Sequence, residues 1–283
     1  MAGNNPKIQV IVAAHKLYPM PTDKMYLPVH VGAAISDLSD NEADELGFTK
    51  DNTGDNISDK NAQYCELTGL YWAWKNVKAD YLGLVHYRRY FTRYRFVAKG
   101  KDLEEVLSEK VLTMRQARIL AEHYKVIVPE KRRYYIETLY SHYAHTHYAE
   151  HLDKAREVIS RKYPAYLDSF DEVMTHTYGY MFNMMLMERH LVNRYCKWLF
   201  DILGELEGRI VSPENDPYQG RYLGRIAEII FNVWLDHQVR TGAIGEDEIK
   251  ELPCVFTEKV NWVKKGSAFL RAKFLKKKYD TSF

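Results

Sequence analysis

Four short apolar runs, "KIQVIVAAH", "YLPVHVGAA", "YLGLVH" and "KVIVP", punctuate the first half of the chain, with helical periodicity between some of them. That alternation predicts an α/β fold built on a mainly parallel sheet. Between the second and third runs, "DNTGDNISDKN" is turn chemistry in which Ser58 or Asp59 suits a helix N-cap. Tyr64, Leu67, Leu70, Tyr71 and Trp74 then recur at helical spacing. Residues 102 to 124 also read as helical. "ETLYSHYAHTHYAEHLDKAREVISRKY" reads as one or two helices ending before Pro164. "THTYGYMFNMMLMERH" reads as a late core strand, after which the chain turns helical. Tyr195, Trp198, Leu199, Ile202, Leu203 and Leu206 point inward from one helix. A second, starting near Pro213, sets Tyr222, Leu223, Ile226, Ile229, Ile230, Val233 and Trp234 against a face carrying Arg221, Arg225, Glu228 and Asn232.

At 283 residues the chain suits one elaborated domain, or a domain plus an appendage. We divide it into a domain over 1–258 and a basic tail over 259–283. Cys65, Cys196 and Cys254 lie far apart with no CxxC, which indicates neither a disulfide framework nor a zinc ribbon and fits a reducing cytoplasm. The first apolar run is too short for a secretory signal, and no stretch is apolar for long enough to span a membrane. The net charge of +2 conceals an asymmetry. From Lys259 onward eight lysines and arginines face only Asp280, a net of +7 that leaves −5 for the rest.

Walker, GxGxxG, GxSxG and HExxH motifs are all absent, which disfavours the familiar nucleotide-loop and hydrolase classes. What remains is basic chemistry at strand ends, where open α/β sheets bind ligands. Three such ends are polar: His15-Lys16, then His86-Tyr87-Arg88-Arg89, then Glu130-Lys131-Arg132-Arg133. Together they would form a basic rim fit for a diphosphate. Alternatively, Arg88 and Arg89 pair with carboxylates of the following loops. Asp51, Asn52, Asp55 and Asn56 suit hydrogen bonds to sugar hydroxyls, or equally a solvated turn. His142, His145 and His147 lie close in sequence, but no cysteine or carboxylate completes a metal-ligand pattern, so they read as surface or supporting histidines.

From "DNTGDNISDKNAQYCELTGLYWAWKN" through "DYLGLVHYRRYF" the chain resembles a domain-of-unknown-function family of bacterial capsular, exopolysaccharide and O-antigen glycosyltransferases, some of them galactofuranosyltransferases. "VAAHKLYPMPTDKMYLPVHVGAA", "IVPEKRRYYIETLYSHYAHTHY", "GYMFNMMLM", "WLFDILGELE" and "YQGRYLGRIAEIIFNVWL" extend the resemblance over most of residues 7 to 238. Arg221, Gly224 and Glu228 match the family's usual pattern in the last helix, while Arg225 and Ile229 depart from it.

The resemblance implies a variant of the single-domain nucleotide-sugar glycosyltransferase (GT-A-like) fold with a helical C-terminal half. It also implies transfer of a hexosyl residue, galactofuranosyl as the first expectation, from a UDP-sugar to a lipid-linked glycan at the cytoplasmic face of the membrane. The alternative is a non-catalytic nucleotide- or glycan-binding partner in a polysaccharide assembly complex. Where related folds carry a metal-binding Asp-x-Asp, this chain has "VHYRRYF". That exchange predicts fixed cations on the leaving diphosphate in place of a metal cofactor, with a divalent cation remaining the open alternative. The donor set is His15, Lys16, Asp51, Asp55, Asn56, His86, Arg88, Arg89, Lys131 and Arg132. Arg221, Arg225 and His147 are assigned to the acceptor. Glu228 is the first choice for the base, with Asp168 and Asp216 as rivals; intrahelical pairing of Glu228 with Arg225 or Asn232 is its structural alternative. The tail, "KVNWVKKGSAFLRAKFLKKKY", is a basic amphipathic segment suited to an anionic membrane surface, or a docked helix with a solvated basic face. No nucleic-acid module accompanies its charge.

Overall fold

The computed structural model describes residues 5–36, 47–95, 102–210, 216 and 218–258. The basic tail lies outside the described residues. Those described divide into two compact units. One takes the residues up to Glu130 together with Asn183–Cys196 and Ile244–Glu258; the other takes Lys131–Phe182 and Lys197–Ala243.

The first unit is a sheet. Its strands are β1 (Ile8–Ala14), β2 (Tyr26–His30), β3 (Thr49–Lys50), β4 (Tyr81–His86), β5 (Arg89–Phe91), β6 (Val126–Pro129), and, after a long excursion of the chain, β9 (Met185–Glu188), β10 (Ile249–Leu252) and β11 (Cys254–Phe256). The main order is β10-β6-β9-β4-β1-β2-β3, and β5 and β11 extend from β4. The β10–β6, β4–β1, β1–β2 and β2–β3 pairs are parallel. β9 runs antiparallel to both its neighbours. All four apolar runs form strands, as their composition predicts. Ile11, Val12, Leu82, Leu84, Val85, Val126, Ile127 and Val128 are fully buried, as a sheet covered on both faces requires. At Gly83 a Cβ would stand 2.8 Å from the Met185 carbonyl oxygen, so only glycine lets β4 lie this close to β9.

The helical stripe after the "DNTGDNISDKN" loop is real but interrupted. A helical turn at Asn61–Tyr64 (α1) stops at Cys65, whose φ of 54° breaks the spiral, and α2 runs over Leu67–Asn76. Ser58 does not cap it, because its hydroxyl is bonded to Asp51. Residues 102 to 124 likewise form two helices, α3 (Leu103–Glu109) and α4 (Met114–Ala121), the latter started by a Thr113–Gln116 capping box.

The second unit is helical around a two-strand ribbon, β7 (Arg132–Arg133) with β8 (Tyr178–Gly179). Its helices are α5 (Leu139–Thr146), α6 (Glu150–Lys162), α7 (Leu167–Thr175), the later turns of α8 (Arg189–Glu207) and α9 (Tyr222–Arg240). The inward residues expected of α8 are all buried, as are those of α9. The α9 helix begins at Tyr222, later than its periodicity suggests, after a 3-10 turn over Gln219–Arg221; Pro213 lies outside the described residues. Asn232 is 8% exposed and belongs to the core face. Its amide clasps Tyr180, accepting from the backbone N–H at 2.7 Å and donating to the carbonyl at 3.0 Å.

Candidate active site

In the first unit "VHYRRYF" is a hairpin and not a strand terminus. β4 ends at His86, Tyr87 and Arg88 make the turn, and Arg89 pairs with His86 as β5 begins. The turn lies beside the end of β1, because Ala13 is in register with His86 and the Tyr87 N–H donates to the Ala13 carbonyl at 3.2 Å. This brings His15 edge-on to the Tyr87 ring at 5.4 Å and Lys16 over the same ring at 5.4 Å. Arg88 donates from Nε to the Tyr87 hydroxyl at 2.7 Å. Its Nη1 is 3.0 Å from the carboxylate of Glu258, which also lies 3.5 Å from Lys16. His15, Lys16, Tyr87 and Arg88 are therefore one cluster at the carboxyl ends of two adjacent strands, where α/β sheets take ligands. The Lys16, Arg88 and Glu258 side chains are each more than one third exposed. Ion pairs in such a setting contribute roughly 0–1 kcal/mol, so an incoming anion can displace Glu258.

Arg89 is turned differently. Its guanidinium lies 5.6 Å from the centre of the Phe256 ring, the residue opposite it in the β5–β11 pair.

The loop after β3 sorts the other donor candidates. Asp51 is fully buried, and its carboxylate accepts from the Gly32 N–H at 2.9 Å, the Ala33 N–H at 3.0 Å and the Ser58 hydroxyl. It braces the backbone around Gly32, whose φ of +73° needs glycine, and offers no face to a sugar. Asp55 is exposed, accepts from the Tyr71 hydroxyl at 3.1 Å and pairs with Lys75 at 3.4 Å. Asn56 closes a local turn, donating to the Gly54 carbonyl and accepting from the Ser58 N–H.

In the second unit the functional candidates lie at β7, the C-terminal end of α5 and the first turns of α9. Lys131 lies over the rings of Tyr178 and Tyr180 at 5.2 and 5.1 Å, and Arg132 over Tyr134 at 5.0 Å. Arg225 stacks on Tyr218 at 4.0 Å, donates to the Tyr218 carbonyl, and donates from Nη1 to Gln219 Oε1 at 3.4 Å. His147, at the C-cap of α5, is 3.0 Å from the same Gln219 oxygen through Nδ1. Burial, with the Arg225 charge beside it, pushes the His147 pKa well below the usual histidine range. Glu228, two helical turns into α9, lies near enough to Tyr134, Tyr143 and Tyr218 for its charge to raise the pKa of each. Arg225 turns to Gln219, Tyr218 and His147, while Asn232 clasps Tyr180 and reaches only the Glu228 backbone. Arg221 closes the turn before α9 and is half-buried.

The two rival bases are placed differently. Asp168 is exposed in the first turn of α7, and Asp216 accepts from the backbone N–H groups of Tyr218 and Gln219 at 3.0 Å each, a capping role.

The carboxylate that seemed to be missing beside the histidines is Glu137. It is 4% exposed and accepts from His142 Nδ1 at 2.8 Å and His145 Nδ1 at 2.7 Å. Burial favours the neutral acid, but the two histidine bonds outweigh it and hold the Glu137 pKa below the usual range. Burial lowers His142 to about 4 despite the Glu137 bond. The spacing Glu-x4-His-x2-His stands in "ETLYSHYAH" but matches no familiar metal-ligand pattern. Among the described residues no three His, Cys, Asp or Glu side chains are grouped as a metal site, and no helix is long and apolar enough to cross a membrane.

The nine-stranded, largely parallel sheet and its helical companion make a GT-A-like α/β fold. A family model described as "Domain of unknown function (DUF4422)" matches residues 9–239, and the chain belongs to that family. The chain is also similar to the apo structure of the bifunctional glycosyltransferase WbbM, with a TM-score of 0.75 and 28% sequence identity. That match covers 89% of this chain and 46% of the other, so the chain spans less than half the length of that solved structure. No curated protein matches.

Proposed function

We propose that this chain is a glycosyltransferase that moves a hexosyl residue from a UDP-sugar to a lipid-linked glycan acceptor in surface polysaccharide synthesis. The likeness to a bifunctional glycosyltransferase over 89% of the chain carries this reading. Galactofuranose is the proposed sugar, on the family resemblance, and the cytoplasmic face of the membrane is the proposed location.

In the first unit His15, Lys16 and Arg88 form the cationic cluster proposed to hold the donor's diphosphate, with His86 and Arg89 in the same hairpin. Lys131 and Arg132 of the second unit are further phosphate-binding cations by their chemistry. Asp55 and Asn56 are proposed for donor hydroxyls, and Asp51 for holding their loop. As the bond from the sugar to the diphosphate breaks, negative charge gathers on the departing UDP, and fixed cations stabilise it there. On this reading catalysis needs no divalent metal.

For the acceptor, Glu228 is the proposed base. It takes the hydroxyl proton while the acceptor oxygen bonds to the sugar's anomeric carbon and the bond to UDP breaks. Glu228 is preferred because Asp216 is occupied in capping and Asp168 is exposed in the first turn of α7. Arg221, Arg225 and His147 are proposed acceptor contacts.

The test is turnover of UDP-sugars with a lipid-linked saccharide, in the presence and absence of EDTA. Transfer that survives EDTA supports the reading. Strict dependence on Mn²⁺ or Mg²⁺ would remove the metal-free mechanism, and tight UDP binding without transfer would favour a non-catalytic assembly partner.

A further inference from the structure

Between β7 and α5 the chain makes a turn whose chemistry nothing in the transfer reaction uses. The Ile136 N–H donates to the Tyr134 carbonyl at 2.7 Å across Tyr135, whose φ is +59°. A three-residue turn of this hand is rare, and a bulky side chain at its centre is strained. Its outcome is to push two large apolar side chains into water: Tyr135 is 83% exposed and Ile136 69%.

Isolated exposed apolar residues are ordinary, but these two are adjacent and on a strained support. The base of the turn is fixed. The Tyr134 N–H donates to the Thr177 carbonyl at 2.8 Å, the Leu139 N–H to the His176 carbonyl at 2.7 Å, and β7 pairs with β8. Arg133, exposed at the end of β7, precedes the turn and lies over the Tyr178 ring at 5.7 Å. An apolar and aromatic tip on a fixed base, with an exposed arginine just before it, is complementary to an anionic lipid surface. The tip would enter the headgroup boundary and the arginine would meet lipid phosphate.

We infer that the turn Tyr134–Ile136, with Arg133, is a membrane-surface contact built into the second unit, separate from the C-terminal basic segment. The inference deepens the reading that the acceptor is lipid-linked, since it would hold the protein where such an acceptor lies. Its test needs no turnover, so its failure and that of the transferase reading can be told apart.

The full chain carrying Cys254→Ser and Ile136→Cys is labelled with an environment-sensitive fluorophore, beside a control labelled through Ile119→Cys, a position 49% exposed in the first unit. Both are titrated with phosphatidylcholine vesicles with and without phosphatidylglycerol. The expected result is a blue shift at 136, only with phosphatidylglycerol, and none at 119. In parallel, Tyr135→Ser/Ile136→Ser in the unlabelled chain should weaken partition onto the same vesicles by about three-fold or more, with an unchanged near-ultraviolet circular dichroism spectrum. The inference is overturned if the 136 label keeps its aqueous emission on vesicles that bind the protein, if neither vesicle binds the protein, if phosphatidylcholine alone gives an equal shift, or if a folded double variant partitions undiminished.

Discussion

Glu137 and His142 are joined carboxylate to Nδ1 at 2.8 Å in a setting that leaves the acid 4% exposed and the imidazole side chain 15% exposed. Burial holds His142 neutral in the folded protein down to a pKa of about 4, below its ordinary value of 6.5, and His147 is displaced the same way. The unfolded chain therefore takes up protons on these rings before the folded one does. Their contribution to stability is complete above about pH 6.5 and is lost as the pH falls from there toward each folded pKa. Glu137, whose pKa is also lowered, adds a loss in the same direction at still lower pH. Urea unfolding should show stability falling from pH 7 to pH 5, by up to about 1.4 kcal/mol per pH unit for each histidine. His142→Gln should flatten that slope. A slope equal to that of the parent protein would contradict the assignment.

Arg88 should matter to donor binding out of proportion to its contribution to the fold. Its ion pair with Glu258 is exposed, so Arg88→Ala should leave the urea midpoint nearly unmoved. Loss of a charge-assisted contact to phosphate should weaken UDP binding about ten- to hundred-fold by isothermal titration. Glu258→Gln is the informative partner, because removing the competing carboxylate should strengthen UDP binding. Weaker binding in that variant would mean that Glu258 orients the cations.

Glu228 and Asp168 separate by substitution. Glu228→Gln should lower the transfer rate by about 10²- to 10⁴-fold and leave UDP affinity within about two-fold. Asp168→Asn should retain nearly full rate. A collapse of transfer in Asp168→Asn with Glu228→Gln active would reverse the choice.

Asp51 supports the loop that carries Asp55 and Asn56. Asp51→Ala strips the buried Gly32 N–H, the half-buried Ala33 N–H and the buried Ser58 hydroxyl of their acceptor, and each orphaned buried donor costs about 1–3 kcal/mol. We expect a destabilisation of about 3 kcal/mol or more in urea unfolding. A change below about 1 kcal/mol would show that water or a neighbouring group replaces the carboxylate.

Much of the scaffold was legible because strands buried on both faces must be largely apolar, and Ile8–Ala14 and Tyr81–His86 are, with Gln9 and the terminal His86 the half-buried exceptions. The buried faces of α8 and α9 were legible for the matching reason at helical spacing. Periodicity could not reveal the break at Cys65, since the aromatic stripe continues in phase on either side of it. Nor could residue type alone reveal that "VHYRRYF" reverses direction, because Tyr-Arg is not a turn-forming dipeptide and the reversal depends on β11 pairing with β5. In the site, strand-end position pointed to His15, Lys16 and Arg88. Asp51 had the composition of a binding loop but is buried, a distinction that only the folded path of the loop makes. Glu137 carries no signal in the sequence, because its role is to hold His142 and His145, a task that follows no familiar spacing.

The neighbours of β6 have a consequence for how the chain reaches this fold. Residues 131–182 leave from the end of β6, and the chain returns as β9 along one edge of it. Residues 197–243 follow later, and the chain returns again as β10 along the other edge. A nascent chain therefore presents β6, fully apolar at Val126, Ile127 and Val128, with both flanks open until β9 returns and one flank open until β10 does. Pairings across such separations close slowly, and an apolar strand left waiting is prone to join another chain. Synthesis cut short before Ile249 should thus yield aggregates in place of a smaller folded protein.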